Sequence, residues 1–149
     1  EFRRVLFRSV EIKSTMSNID GAEDRNELYL SGGAAFVITT LLSPTSDPNL
    51  QMVEVKLSEL KAFLTDIVDK DYYTSLKNKK FDDEKVQKNY LGALKVYNHL
   101  QLISASKLLI TFINTLGGSN KKIYFNRYGL HSMPSMLIGR VLRNEAPRW

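Results

Sequence analysis

Cysteine is absent from the 149-residue sequence. That excludes disulfides, thiolate catalysis and zinc sites built on sulfur, and it accords with a reducing, intracellular and cytoplasmic setting. Histidine is scarce: His99 and His131 are the only two. A catalytic nucleophile needs a positioned base beside it, and no serine sits in a Gly-x-Ser-x-Gly elbow. Long apolar runs are missing as well. The longest, residues 34–42 and 108–116, are broken by Thr or Asn and fall short of the ~20 residues a membrane span requires. No signal-length apolar stretch follows the arginines near the N-terminus.

Phosphate-cradling glycine patterns are also lacking. Gly32-Gly33 is followed by neither a Walker pattern nor Gly-x-Gly-x-x-Gly. Gly117-Gly118 comes after an expected helix, the wrong end for an anion site. Asp66, Asp69 and Asp71 come closest to a metal set, but the glycine of a calcium loop is missing, and a solvated helix face accounts for them. No catalytic residue, metal or cofactor is therefore assigned, and a non-enzymatic protein is expected.

What is present describes one globular domain. Hydrophobic residues make up 43% and charged residues 25% of the chain, both near the globular average. Residues 1–9, Glu-Phe-Arg-Arg-Val-Leu-Phe-Arg-Ser, resemble translated sequencing-adapter read-through. Residues 1–15 are accordingly set apart as a non-native or disordered tail, with Met16 as the natural start and residues 16–149 as a single helical domain. An assembled-read origin would also make Trp149 either a true end or the edge of a fragment.

Apolar spacing supplies the elements. Residues 27–30 read as a short extended piece. Residues 34–42 fit a buried helix or a buried strand by length, and two opening alanines with a closing Ser43-Pro44 favour helix. Val53, Val55 and Leu57 alternate like a strand. Leu60, Phe63, Leu64, Ile67, Val68, Tyr72 and Leu76 follow at spacings of three and four, predicting one amphipathic helix from about Ser58, its cap, into the seventies. Asp82 or Asp83 caps a helix whose stripe runs from Val86 to Leu102. Gly92 marks a weak point in it, or a close helix crossing. Ser104 or Ser106 caps a further helix over 107–116, apolar on most sides and so expected at the centre, and Gly117-Gly118 stops it. Residues 121–128 alternate partly. Ser132 caps a last helix carrying Met133, Met136, Leu137, Val141 and Leu142. The expected fold is mainly α: a compact bundle-like domain of about five helices, with one minor two-stranded element. The runner-up is α+β, its small sheet made from 53–57 and 123–125.

Charge is uneven. Residues 121–149 carry six bases (Lys121, Lys122, Arg127, Arg140, Arg143 and Arg148) against the single acid Glu145, a local balance of +5. Tyr124, Phe125, Tyr128 and His131 interleave with them. Cations for phosphates beside rings for bases are what single-stranded nucleic-acid binding uses. Lys121, Lys122, Arg127, Arg140 and Arg143 are the expected phosphate contacts, and Tyr124 and Tyr128 the expected stacking residues. The lysines of residues 77–95 form a second basic cluster. The leading functional expectation is RNA binding in a nucleoprotein-like or assembly role, with nucleic acid or an acidic protein as partner and homo-oligomers allowed. The alternative is a protein-interaction or oligomerisation module, with Met133, Met136 and Leu137 beside arginines as its patch.

Overall fold

The computed structural model describes residues 24–45, 47 and 52–127. The expected helix after Ser132, its methionine patch and the tail at 1–15 lie outside these residues. The elements run β1 (Glu27–Leu30), α1 (Gly33–Leu42), β2 (Met52–Glu54), α2 (Leu57–Ile67), α3 (Lys70–Asn78), α4 (Glu84–Val96), α5 (His99–Thr115), a short 3-10 turn (Gly118–Asn120) and β3 (Lys122–Asn126). Among the described residues the fold is thus mainly α, with five α-helices and a small sheet. That sheet has three strands, one more than spacing alone suggested.

β3 is the central strand. It pairs parallel with β1, Leu28 opposite Ile123 and Tyr29 opposite Tyr124. It pairs antiparallel with β2, Val53 opposite Phe125 and Glu54 opposite Tyr124. Parallel neighbours need a long crossover, and here the crossover is the whole helical layer. Strand alternation sends Leu28, Ile123 and Phe125 into the common core with Ile38, Phe63, Tyr90 and Ile113 from the helices.

α1 is the helix enclosed on nearly every side, with Ala35 and residues 37–41 buried; it packs against α4, α5 and β3. This corrects the expectation that residues 107–116 form the central element. α5 buries one stripe only, Leu102, Ile103, Ser106, Ile110 and Ile113, the pattern of a helix packed on one side.

Three helix boundaries differ from the spacing-based expectation, each through capping. The single helix expected from Ser58 into the seventies is two. Asp69 adopts an extended conformation and its carboxylate accepts the Asp71 backbone N–H at 2.8 Å, starting α3 afresh. At the front, α2 begins at Leu57 rather than after a Ser58 cap, and the Glu59 carboxylate accepts the Lys56 N–H at 3.2 Å. The stripe expected through Leu102 likewise breaks, because Asn98 and Gln101 exchange side-chain-to-backbone bonds of 2.9 and 3.0 Å and open α5 at His99. Ser104 and Ser106 therefore lie inside α5, where Ser106 bonds back to the Leu102 carbonyl. Asp83 caps α4, accepting from Lys85 and Val86. Gly117 closes α5 at φ +70°, a conformation that favours glycine. Gly92 marks no close crossing: a methyl group there would meet nothing within 4 Å.

Candidate nucleic-acid interface

The helices gather on the face of the sheet to which Leu28, Ile123 and Phe125 point. The opposite, outer face is covered by no helix among the described residues. Alternation places Glu27 and Tyr29 of β1, Lys122, Tyr124 and Asn126 of β3, and Met52 and Glu54 of β2 on it. The register sets Tyr29, Tyr124 and Glu54 in one row and Glu27 beside Lys122 in the next.

Tyr29 and Tyr124 stack across the parallel pair, with ring centroids 5.1 Å apart and planes inclined by 18°. Tyr29 is 63% exposed and stands on an edge strand. Its phenol donates to Glu27 Oε2 at 2.6 Å. That hydrogen bond, reinforced by desolvation and by the Glu27 charge, raises its pKa above the ordinary 10. A stacked pair of this kind stabilises the sheet, and the exposed tyrosine extends the row to the sheet edge.

The expected contact residues separate. Lys122 is exposed on the outer face and Tyr124 is half-buried there; Lys121 is half-buried at the end of the 3-10 turn. Arg127 is 4% exposed, and its guanidinium donates to the Ser43 carbonyl at 2.7 Å. It therefore fastens the end of β3 to the C-terminus of α1, where a cation complements the helix dipole, and it does not stand at the surface with the lysines. Tyr128, Arg140 and Arg143 lie outside the described residues. Tyr29 was absent from the expected set, although the alternation of Glu27, Leu28, Tyr29 and Leu30 marks it as outward-facing.

The second basic cluster stands on α3, α4 and the turn between them. Two of its lysines lie over rings: Lys77 Nζ is 4.5 Å from the Tyr73 centroid, and Lys79 Nζ is 5.4 Å from Phe81 and 5.9 Å from Tyr90. His99 is used structurally. Its Nε2 lies 2.6 Å from the Ile67 carbonyl, and its ring stacks on Tyr73 at 4.7 Å, joining α5 to α2 and α3. Among the described residues no three His, Asp or Glu side chains gather as a metal set, and no helix is long and apolar enough to cross a membrane. Comparison with protein-family models, curated proteins and solved structures finds no match.

Proposed function

We propose that this chain is a non-enzymatic, RNA-binding domain that takes a single strand along the outer face of its sheet. The observation that carries the reading is the in-register Tyr29–Tyr124 stack, which ends in an exposed ring on an edge strand. A nucleobase placed on Tyr29 continues that stack. Base–aromatic stacking is worth about 1–3 kcal/mol per base. Lys122 on the same face and Lys121 beside it supply phosphate contacts. Tyr128, Arg140 and Arg143 follow β3 in the chain and complete the basic segment.

The test is an anisotropy titration with a labelled single-stranded RNA. Binding is expected to weaken steeply with salt, and Tyr29→Ala to weaken it by about tenfold at fixed salt. Absence of binding at low ionic strength, or wild-type affinity in both Tyr29→Ala and Tyr124→Ala, overturns the reading.

One observation favours the alternative, a protein-interaction or oligomerisation surface. Among the strand residues of the outer face, Glu27 and Glu54 are two carboxylates against the one ammonium of Lys122, and the exposed Met52 lies beside them. Carboxylates repel phosphates, whereas Tyr and Met are common at protein interfaces. A concentration-dependent mass in sedimentation that Tyr29→Ala abolishes would select that alternative.

A further inference from the structure

The stack of Tyr29 on Tyr124 leaves each ring one further face. The centroids lie 5.1 Å apart in nearly parallel planes, close to the spacing of neighbouring strands, about 4.8 Å. The stack therefore runs across the sheet. Tyr29 covers the β1 side of Tyr124, so the second face of Tyr124 lies on the β2 side. Its register partner there is Glu54.

The two carboxylates of the outer face are used differently. Glu27 Oε2 accepts the Tyr29 phenol at 2.6 Å. Glu54 is exposed, and among the described residues its carboxylate has no hydrogen bond or ion pair. Lys122, two residues before Tyr124 on the same face, is likewise exposed and unpaired among the described residues. A base laid on the second face of Tyr124 lies about one strand spacing further on, above β2. Its edge there meets the Glu54 carboxylate, two oxygens that only accept.

Two adjacent acceptors call for two adjacent donors. Guanine has them on its Watson–Crick edge, N1–H beside the N2 amino group. Cytosine sets its N4 amino group beside the N3 acceptor, adenine its N6 amino group beside N1, and uracil its N3–H between two carbonyls. Each of these turns a lone pair toward a carboxylate. In a single strand that edge is free to be read. A bidentate, charge-assisted pair adds geometric selection to its energy.

We propose that Glu54 makes the Tyr124 subsite selective for guanine: the base stacks on Tyr124, its N1–H and N2–H donate to the Glu54 carboxylate, and Lys122 contacts its phosphate. The proposal rests on the RNA reading. It also gives a carboxylate of the outer face a use there, because the bonds go to a base and not to the backbone.

The probes are short labelled oligouridylate strands in which one central nucleotide varies, titrated with the full chain and followed by anisotropy at fixed low salt. Central guanosine is expected to bind about tenfold tighter than uridine, cytidine or adenosine; adenosine controls for the larger stacking area of a purine. Inosine, which lacks the N2 amino group, should fall between, and N1-methylguanosine should lose the gain. Glu54→Gln separates base reading from charge. If Glu54 only repels phosphates, removing its charge tightens every strand alike. The proposal expects a divergence instead: the guanosine strand weakens several-fold, while the all-uridine strand is unchanged or tighter. Lack of binding by every strand overturns this proposal together with the RNA reading. Equal affinity for all the strands, or a guanosine preference that Glu54→Gln leaves intact, overturns this proposal alone.

Discussion

Tyr90→Phe is expected to stabilise the protein. Tyr90 is 0% exposed in α4, and its hydroxyl has no hydrogen-bond partner among the described residues. Its ring packs against Phe81, centroids 4.9 Å apart, and lies under Lys79; phenylalanine keeps both contacts. The substitution removes a stranded hydroxyl, worth about 1–3 kcal/mol, and leaves a gap the size of one oxygen, costing a few tenths of a kcal/mol at about 24 cal/mol per Å³. The balance is a gain of about 1 kcal/mol, or about 2–6 °C in thermal midpoint.

Alkaline pH supplies a second readout of the same group. Burial, aided by the charge of Tyr72, pushes the Tyr90 phenol up to about 12 from its ordinary 10. Between these values the unfolded chain has lost the proton and the folded chain keeps it. Folding therefore binds protons in that window, and its free energy weakens as pH rises. The contribution is whole below pH 10 and gone above pH 12, a loss of about 1.4 kcal/mol per pH unit. The phenylalanine side chain of the variant cannot ionise, so the stability gap between variant and wild type should widen by about 2–3 kcal/mol over the window. Urea titrations followed by far-ultraviolet circular dichroism at neutral and alkaline pH measure both quantities. A variant less stable than wild type at neutral pH, with an unchanged urea dependence, or a gap that stays constant above pH 10, would refute the reasoning and imply a partner such as a buried water.

Two further substitutions test the packing. Gly92→Ala, in a helix interior with open space around it, should raise stability by about 1 kcal/mol, read from the same urea titration. Arg127→Met, which removes the guanidinium from the Ser43 carbonyl, should cost about 2 kcal/mol and leave the RNA affinity of the folded fraction unchanged. A loss of affinity comparable to that of Lys122→Gln would return Arg127 to the contact set.

The helices are legible in the sequence because each buries a stripe. The breaks between them are not legible from the stripe. Ile67, Tyr73 and Leu76 keep near-helical spacing across Asp69, so apolar periodicity runs straight through a boundary made by one carboxylate. The cap grammar does carry the signal: Asn98-His99-Leu100-Gln101 is a capping-box pattern, and a periodicity count gives it no weight. Arg127 is the instructive residue in the candidate site. Ile123, Phe125 and Arg127 share one parity, and the strand turns that parity inward. Extending the alternation by two residues places Arg127 in the interior, whereas charge alone places it on the surface. Tyr124 falls on the outward parity and stays there. Its stacking partner Tyr29 lies at the other end of the described chain, and no local pattern joins the two.

That separation in sequence governs how the functional surface forms. β3 is the last described element and enters between β1 and β2, the first two strands. Until it docks, Tyr29 has no ring beside it, α1 lacks the Arg127 bond at its end, and Val55 has no Ile123 carbonyl to bond. Loop-closure entropy opposes such distant pairing until the core contacts offset it. Ile123 and Phe125, 2% and 0% exposed, provide that compensation by the area they bury. The inward parity of β3 thus supplies the free energy that assembles the strand, and the outward parity carries the Tyr29–Tyr124 row with no part in the core. Substitutions on the outward parity can therefore change binding at little cost in folding. Those on the inward parity, Arg127 included, change both through the folded fraction. The two kinds separate when affinity is compared at equal folded concentration.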